Sequence, residues 1–149
     1  MRIREMMRTT LATVGLDATF AELVAAHRCH NSRLVYVVDA KQHLLGVVSC
    51  YDLLRSAMPF YVDANLAKAL PEDDTVIRDS FNSCQDKTAA DIMTREITAV
   101  SPEGTFFAAE ALFTKGRFNV LPVIEDDGRL VGELTRRRIL DFLAGHCGL

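Results

Sequence analysis

The sequence predicts an α/β (α+β) fold made of two β-α-β-β-α units, packed face to face about a pseudo-twofold axis. Three observations predict it. Residues 3–54 align with residues 89–140 at one constant offset, without an insertion. Each copy repeats the same succession of apolar run, amphipathic stretch, two apolar runs flanking a turn, and a second amphipathic stretch. A unit of about 50 residues has trouble burying enough surface by itself, so two copies gain most by closing on each other.

Each copy opens with a short apolar run, "LATV" (Leu11 to Val14) and "ITAV" (Ile97 to Val100), read as a strand or extended segment. A helix follows. In the first copy Thr19 and Glu22 have capping-box spacing, in which each side chain satisfies a backbone N–H at the helix start. The second copy keeps Thr105 but has Ala108, which is half of the box. Phe20, Leu23, Val24 and His27 recur at helical spacing and are expected to face the core.

Two strands joined by a turn come next: "RLVYVV" with "LLGVVS", and "NVLPVI" with "RLVGEL". Their near-continuous apolar character predicts strands covered on both faces. The second turn contains Asp127-Gly128, which tolerates positive φ. The first, "DAKQH", has no glycine and predicts a different turn. Pro122 has no N–H for a ladder and predicts an edge position or a strand start. Ser49 and Thr135 are good N-cap residues for the closing helices.

The chain divides into residues 1–58, a helical connector at 59–86, and residues 87–149. The connector holds apolar residues at helical spacing (Leu66, Ala69, Leu70, then Val76, Ile77, Phe81), read as one or two short helices broken at Pro71. It is a structural spacer in the plainer reading and a lid or dimer contact in the sharper one. The acidic run Glu72, Asp73, Asp74 reads as a solvated stretch or a helix cap.

Composition narrows the function classes. The net charge is −3, whereas domains that bind nucleic-acid backbones are usually basic. No apolar run approaches the roughly 20 residues that span a bilayer, and "MRIREMMRTT" is not a signal peptide. A cytoplasmic location is expected, with no nucleic-acid or membrane partner. The four cysteines, Cys29, Cys50, Cys84 and Cys147, are irregularly spaced and read as free thiols. "HRCH" places His27, Cys29 and His30 close together, but that is too few ligands for a closed metal site, and no metal is expected. No Ser-His-Asp set, P-loop or zinc motif is present, so no catalytic residue is assigned.

The segments "VYVVDAKQHLLGVVSCYDLL" and "VLPVIEDDGRLVGELTRRRIL", preceded by "LATVGLDATF" and "ITAVSPEGTF" and with "DIMT" before the second copy, together resemble a tandem pair of CBS domains, a Bateman module. The resemblance runs from about Ile3 to Leu143 and points to a stand-alone pair. It implies sheet-to-sheet packing that leaves two clefts about the pseudo-dyad. It also implies an adenosine-containing regulatory ligand (AMP, ADP, ATP or S-adenosylmethionine), a homodimer of pairs and an unidentified regulated partner. The family pattern Gly-h-x-Ser/Thr-x-x-Asp, carried over, selects Ser49 and Asp52, with Glu96, Ile97 and Thr98 across the cleft. A carboxylate can accept from both ribose hydroxyls, and Ile97 with neighbouring aliphatics can sandwich adenine.

In the second copy the pattern keeps Thr135 but has Arg138 in the carboxylate's place. Arginine has donors and no acceptor, so the cleft of Thr135 and Arg138 facing Leu11 to Val14 is not expected to hold a nucleoside in the usual way. Three readings stay open: a decayed cleft, one or more of Arg136, Arg137 and Arg138 reaching a phosphate of a ligand in the neighbouring cleft, or an anion or nucleic-acid patch, to which the acidic net charge runs counter. The expected function is a regulatory nucleotide-binding module. The alternative is a ligand-free structural or dimerisation module with degenerate clefts.

Overall fold

The computed structural model describes residues 1–30, 33–58, 65, 68, 73–116 and 118–149. The first half comprises α1 (Ile3–Met6), β1 (Thr13–Val14), α2 (Phe20–His30), β2 (Leu34–Val38), β3 (Leu44–Ser49) and α3 (Cys50–Ala57). After α4 (Asp74–Asn82), the second half repeats the order with α5 (Ala89–Ile92), α6 (Phe106–Gly116), β4 (Val120–Ile124), β5 (Leu130–Thr135) and α7 (Arg136–His146). In the first sheet β1 runs parallel to β2, and β2 is antiparallel to β3. The second sheet is the antiparallel pair β4–β5.

The sheets differ because of one residue. In the first half the Tyr36 N–H donates to the Ala12 carbonyl at 2.9 Å and helps bind β1 to β2. The repeat puts Pro122 at Tyr36's place, and proline has no N–H to give. The segment at 97–100 therefore stays extended and touches β4 through the single bridge Val100–Val123. Pro122 thus sits inside β4, at Glu133's partner position, with its N side toward that extended segment.

The halves exchange their leading segments. Ile3 and Met6 of α1 are fully buried in the core of the second half, with Phe113, Leu121 and Leu134. Ala89 and Ile92 of α5, with Met93, complete the core of the first, around Phe20, Leu23 and Val35. Backbone bonds pin the exchange, Arg8 with Glu133 and Thr94 with Val47. Two glycines of the repeat permit the close approach: a Cβ on Gly46 would lie 2.5 Å from the Met93 sulfur, and one on Gly132 would lie 2.9 Å from the Arg8 carbonyl oxygen.

The helix starts follow the predicted chemistry. Thr19 and Glu22 form the full box, with Glu22 N–H donating to the Thr19 hydroxyl and Thr19 N–H to the Glu22 carboxylate. Thr105 forms its half by accepting from Ala108 N–H. Phe20, Leu23 and His27 are buried, and Val24 packs against the same core while half-buried. His27 reaches Val48's carbonyl with Nε2, whereas His30 and Cys29 are exposed, so the "HRCH" side chains do not converge.

The two turns share one backbone form, against the expectation that they differ: Gln42 stands at the repeat position of Gly128, and the Gln42 N–H donates to the Asp39 carbonyl as the Gly128 N–H does to the Glu125 carbonyl. Gly128 has φ +91°, while in the first turn the non-glycine Gln42 takes φ +67°. Asp39 supports that turn: its carboxylate accepts from the N–H groups of Lys41 and His43. These bonds, the His43 N–H foremost, hold its carboxyl below the usual carboxylate range. The turns also join each other, with Leu44 N–H donating to Gly128 and Leu130 N–H to Gln42.

In the connector, Asp73 caps α4 by accepting from Thr75 N–H. Val76 and Ile77 on α4 are exposed, and Phe81 meets Phe20 edge-to-face at 5.0 Å between centroids. The expected helix over Leu66, Ala69 and Leu70 and its break at Pro71 lie outside the described residues.

Candidate functional site: two unequal clefts

A cavity of about 480 Å³ lies between the halves, within the usual size for small-molecule sites. From the first half it is lined by Arg33, Leu34, Val47, Ser49, Cys50 and Tyr51, and from the second by Glu96, Ile97, Thr98, Phe118, Asn119, Val120 and Pro122. The end of β3 and the start of α3 form one wall. The extended segment and β4 form the other.

Ser49, Glu96, Ile97 and Thr98, the positions the resemblance implied, line this one cavity. Asp52 lies just behind the lining and completes the capping box of α3. Its Oδ2 accepts from the Ser49 N–H at 2.8 Å and the Ser49 hydroxyl at 2.9 Å, while the Ser49 oxygen accepts from the Asp52 N–H. The remaining oxygen, Oδ1, takes only a long bond from the Thr94 hydroxyl at 3.3 Å. Among the described residues Asp52 makes no salt bridge.

Pro122 also shapes the wall. Thr98 stands at the repeat position of Ala12, whose carbonyl is bonded by the Tyr36 N–H. No described donor reaches the Thr98 carbonyl, because Pro122 offers none. A strand-like carbonyl with no described donor thus borders the apolar part of the pocket, Leu34, Val47, Ile97, Val120 and Pro122.

The dyad-related cleft has a different chemistry. It is a cavity of about 340 Å³ lined by Arg8, Arg33, Asn119, Val120, Glu133, Thr135, Arg136 and Arg137. Thr135 and two of the three consecutive arginines are present, while Arg138 and Leu11 to Val14 do not line it. Arg138 is exposed and gives its backbone N–H to the Thr135 hydroxyl. It leaves α7 with half of the box that Asp52 completes on α3.

Where the first cleft has Val47, the second has Glu133, which is 3% exposed. The Tyr36 hydroxyl donates to its Oε2 at 2.6 Å, and the Arg8 guanidinium pairs with Oε1 at 2.6 Å. Burial, then the Glu133 charge, pushes the Tyr36 phenol far above its usual range, so it stays a neutral donor. Arg136 donates to the Phe113 carbonyl and stacks over that ring, and Arg137 pairs with Asp141.

Sequence reasoning missed Arg33, Val47, Pro122 and the stretch 118–120 as lining, along with the Arg8–Glu133–Tyr36 cluster. For part of this set the repeat carried the signal, since Arg33 and Asn119, and Val47 and Glu133, are repeat mates that border the two cavities.

Two intertwined half-domains of repeated topology, exchanging their lead-in helices around an inter-half cleft, define a paired-repeat module. The chain belongs to the CBS domain family: the family model for the CBS domain matches residues 3–58 and again residues 89–145. It is 24% identical over 155 aligned positions to an uncharacterized protein of Methanocaldococcus jannaschii, covering 96% of this chain and 91% of that one. The crystal structure of the CBS-pair protein CBSX2 from Arabidopsis thaliana superimposes with a TM-score of 0.79 at 21% identity, covering 99% of this chain and 97% of that chain. A crystal structure of CBSX2 in complex with AMP gives 0.74 at 23% identity, with 97% of each chain covered. Among the described residues no helix is long and apolar enough to cross a membrane.

Proposed function

We propose that the protein is a regulatory module that binds an adenosine-containing nucleotide in the larger cleft and passes its occupancy to a partner protein, without chemistry of its own. The observation that carries the reading is the apolar slot between β3–α3 and the segment at 96–98, with the Thr98 carbonyl, which no described donor reaches, at its edge. Adenine is flat, with apolar faces that suit Val47, Ile97 and Pro122. Its exocyclic amine is a donor of the kind the Thr98 carbonyl lacks. The ribose falls toward Ser49 and Asp52, where Oδ1 keeps lone pairs for a hydroxyl. The AMP-bound relative supports the same ligand class.

Self-association fits the surface as well. Leu54 and Met58 at the end of the first half, and Leu140 at the repeat position of Leu54, stand 54%, 43% and 62% exposed. They offer an apolar face for a second copy, and the free state of all four cysteines agrees with a reducing cytosol.

A second reading, a ligand-free structural pair, draws on one observation: the capping box alone accounts for an acid at position 52. Thermal unfolding with and without AMP, ADP, ATP and S-adenosylmethionine separates the two. A ligand at one hundred times its Kd stabilises by about 2.7 kcal/mol. Asp52→Ala lowers the melting temperature of the free protein through the lost cap, so the readout is the ligand-induced shift. That shift is expected for at least one ligand and is mostly lost in the variant. Unchanged melting at millimolar levels of all four ligands would leave the structural reading standing.

A further inference from the structure

We propose that the second cleft is a polyphosphate well rather than a second nucleoside cleft, and that a nucleotide seated in the first cleft runs its phosphates past Arg33 into it. The protein then prefers ADP and ATP to AMP. This rests on the nucleotide reading of the first cleft and adds the class of nucleotide.

The second cleft has lost each feature that suits a nucleoside. The apolar wall supplied by Val47 in the first cleft is replaced by the buried Glu133 carboxylate with its Tyr36 and Arg8 partners. The carbonyl left open by Pro122 has its counterpart in Ala12, whose carbonyl is bonded by Tyr36 N–H. The carboxylate position is held by Arg138.

What replaced them suits an oxyanion. Arg8, Arg33, Arg136 and Arg137 line the cavity against the single acid Glu133, in a protein whose net charge is −3. Glu133 is already paired with Arg8, which leaves the other three guanidinium charges unmatched by any acid lining the cavity. Among the described residues the Arg136 and Arg137 side chains each make one hydrogen bond, to Phe113 and Asp141, and a guanidinium has five donors. Arg33 makes no side-chain bond to a described residue. The Arg8 Nε is buried with no acceptor, which is the deficit an anion would fill. Guanidinium groups bind phosphate oxygens in paired, charge-assisted bonds.

The two cavities adjoin. Arg33, Asn119 and Val120 line both, so a chain of phosphates leaving the first cleft meets Arg33 before the other arginines. The acid lining the first cavity is Glu96. Its charge disfavours phosphates on that side and adds to the bias toward the arginines.

The test is isothermal titration of the full chain with adenosine, AMP, ADP and ATP at fixed ionic strength, repeated with the double variant Arg33→Gln/Arg137→Gln. One charge-assisted bond gained per added phosphate is a step of about tenfold or more in affinity. Expected is ATP binding about a hundredfold or more tighter than AMP, two such steps, with the double variant losing at least about tenfold more for ATP than for AMP. AMP binding as tightly as ATP overturns the inference while the nucleotide cleft stands. A preference for ATP that survives in the double variant overturns it too. If neither adenosine nor any nucleotide binds, both readings fall.

Discussion

Removing the Tyr36 hydroxyl tests whether the buried triad of Arg8, Glu133 and Tyr36 holds the two halves together. Tyr36 is wholly buried and Glu133 is 3% exposed, so neither group can recover its bond from water. Bonds to charged groups contribute about 1.5–3 kcal/mol, so Tyr36→Phe is expected to cost about 2 kcal/mol. Glu133→Val copies Val47 from the other half and strands the phenol instead, again at about 2 kcal/mol. Arg8 adds less, because its side chain is 37% exposed and can be hydrated. The double variant removes donor and acceptor together, so its loss should fall at least about 1 kcal/mol short of the sum of the singles. Urea unfolding of the four proteins measures this against a total stability of about 5–15 kcal/mol. Additivity within about 0.5 kcal/mol, or a silent Tyr36→Phe, refutes the claim that the triad is a coupled fastening.

Alanine at either repeat glycine should destabilise by about 1–3 kcal/mol through overpacking. Gly132→Ala should be the worse of the two in denaturant melts, because the Arg8 carbonyl oxygen at 2.9 Å is backbone and cannot swing aside as a methionine sulfur can. In alkali, the raised ionisation of Tyr36 means that the folded state favours the neutral phenol. The resulting stability is whole below about pH 10 and drains as the pH rises past that value, where the unfolded chain gains tyrosinate. Absorbance titration should show one of the three tyrosines ionising only on unfolding, and Tyr36→Phe should abolish that late step. Finally, Cys50 lines the larger cavity whereas Cys29 and Cys147 are exposed elsewhere. A bound nucleotide should slow alkylation of Cys50 alone, read by peptide mass spectrometry, and equal slowing of all three would count against ligand binding there.

The repeat made most of the architecture legible. An ungapped alignment predicts paired halves, and Thr19 with Glu22 and Asp127-Gly128 mark a helix start and a turn through purely local chemistry. The exchange of lead-in segments was not legible, because Ile3, Met6, Ala89 and Ile92 say that they are buried without saying in which half. The first-cleft residues 49 and 96–98 could be named only through the resemblance to CBS pairs, whose pattern carries over onto these positions. Asp52 was harder to read. One carboxylate at that spacing satisfies a helix start and suits a sugar equally well, and only the geometry shows which oxygen is already engaged. The Glu133 triad was invisible because its members lie far apart in the chain, and a lone glutamate within "LVGELT" resembles a surface residue.

The traded leading segments carry a consequence for biosynthesis. Until residues 89–93 have emerged from the ribosome, the amino-terminal portion lacks Ala89, Ile92 and Met93 and leaves part of its interior bare. That portion must wait, partly assembled, for sequence made much later. A fragment cut within the connector would carry a leader suited to the opposite half and a gap that its own leader does not fill.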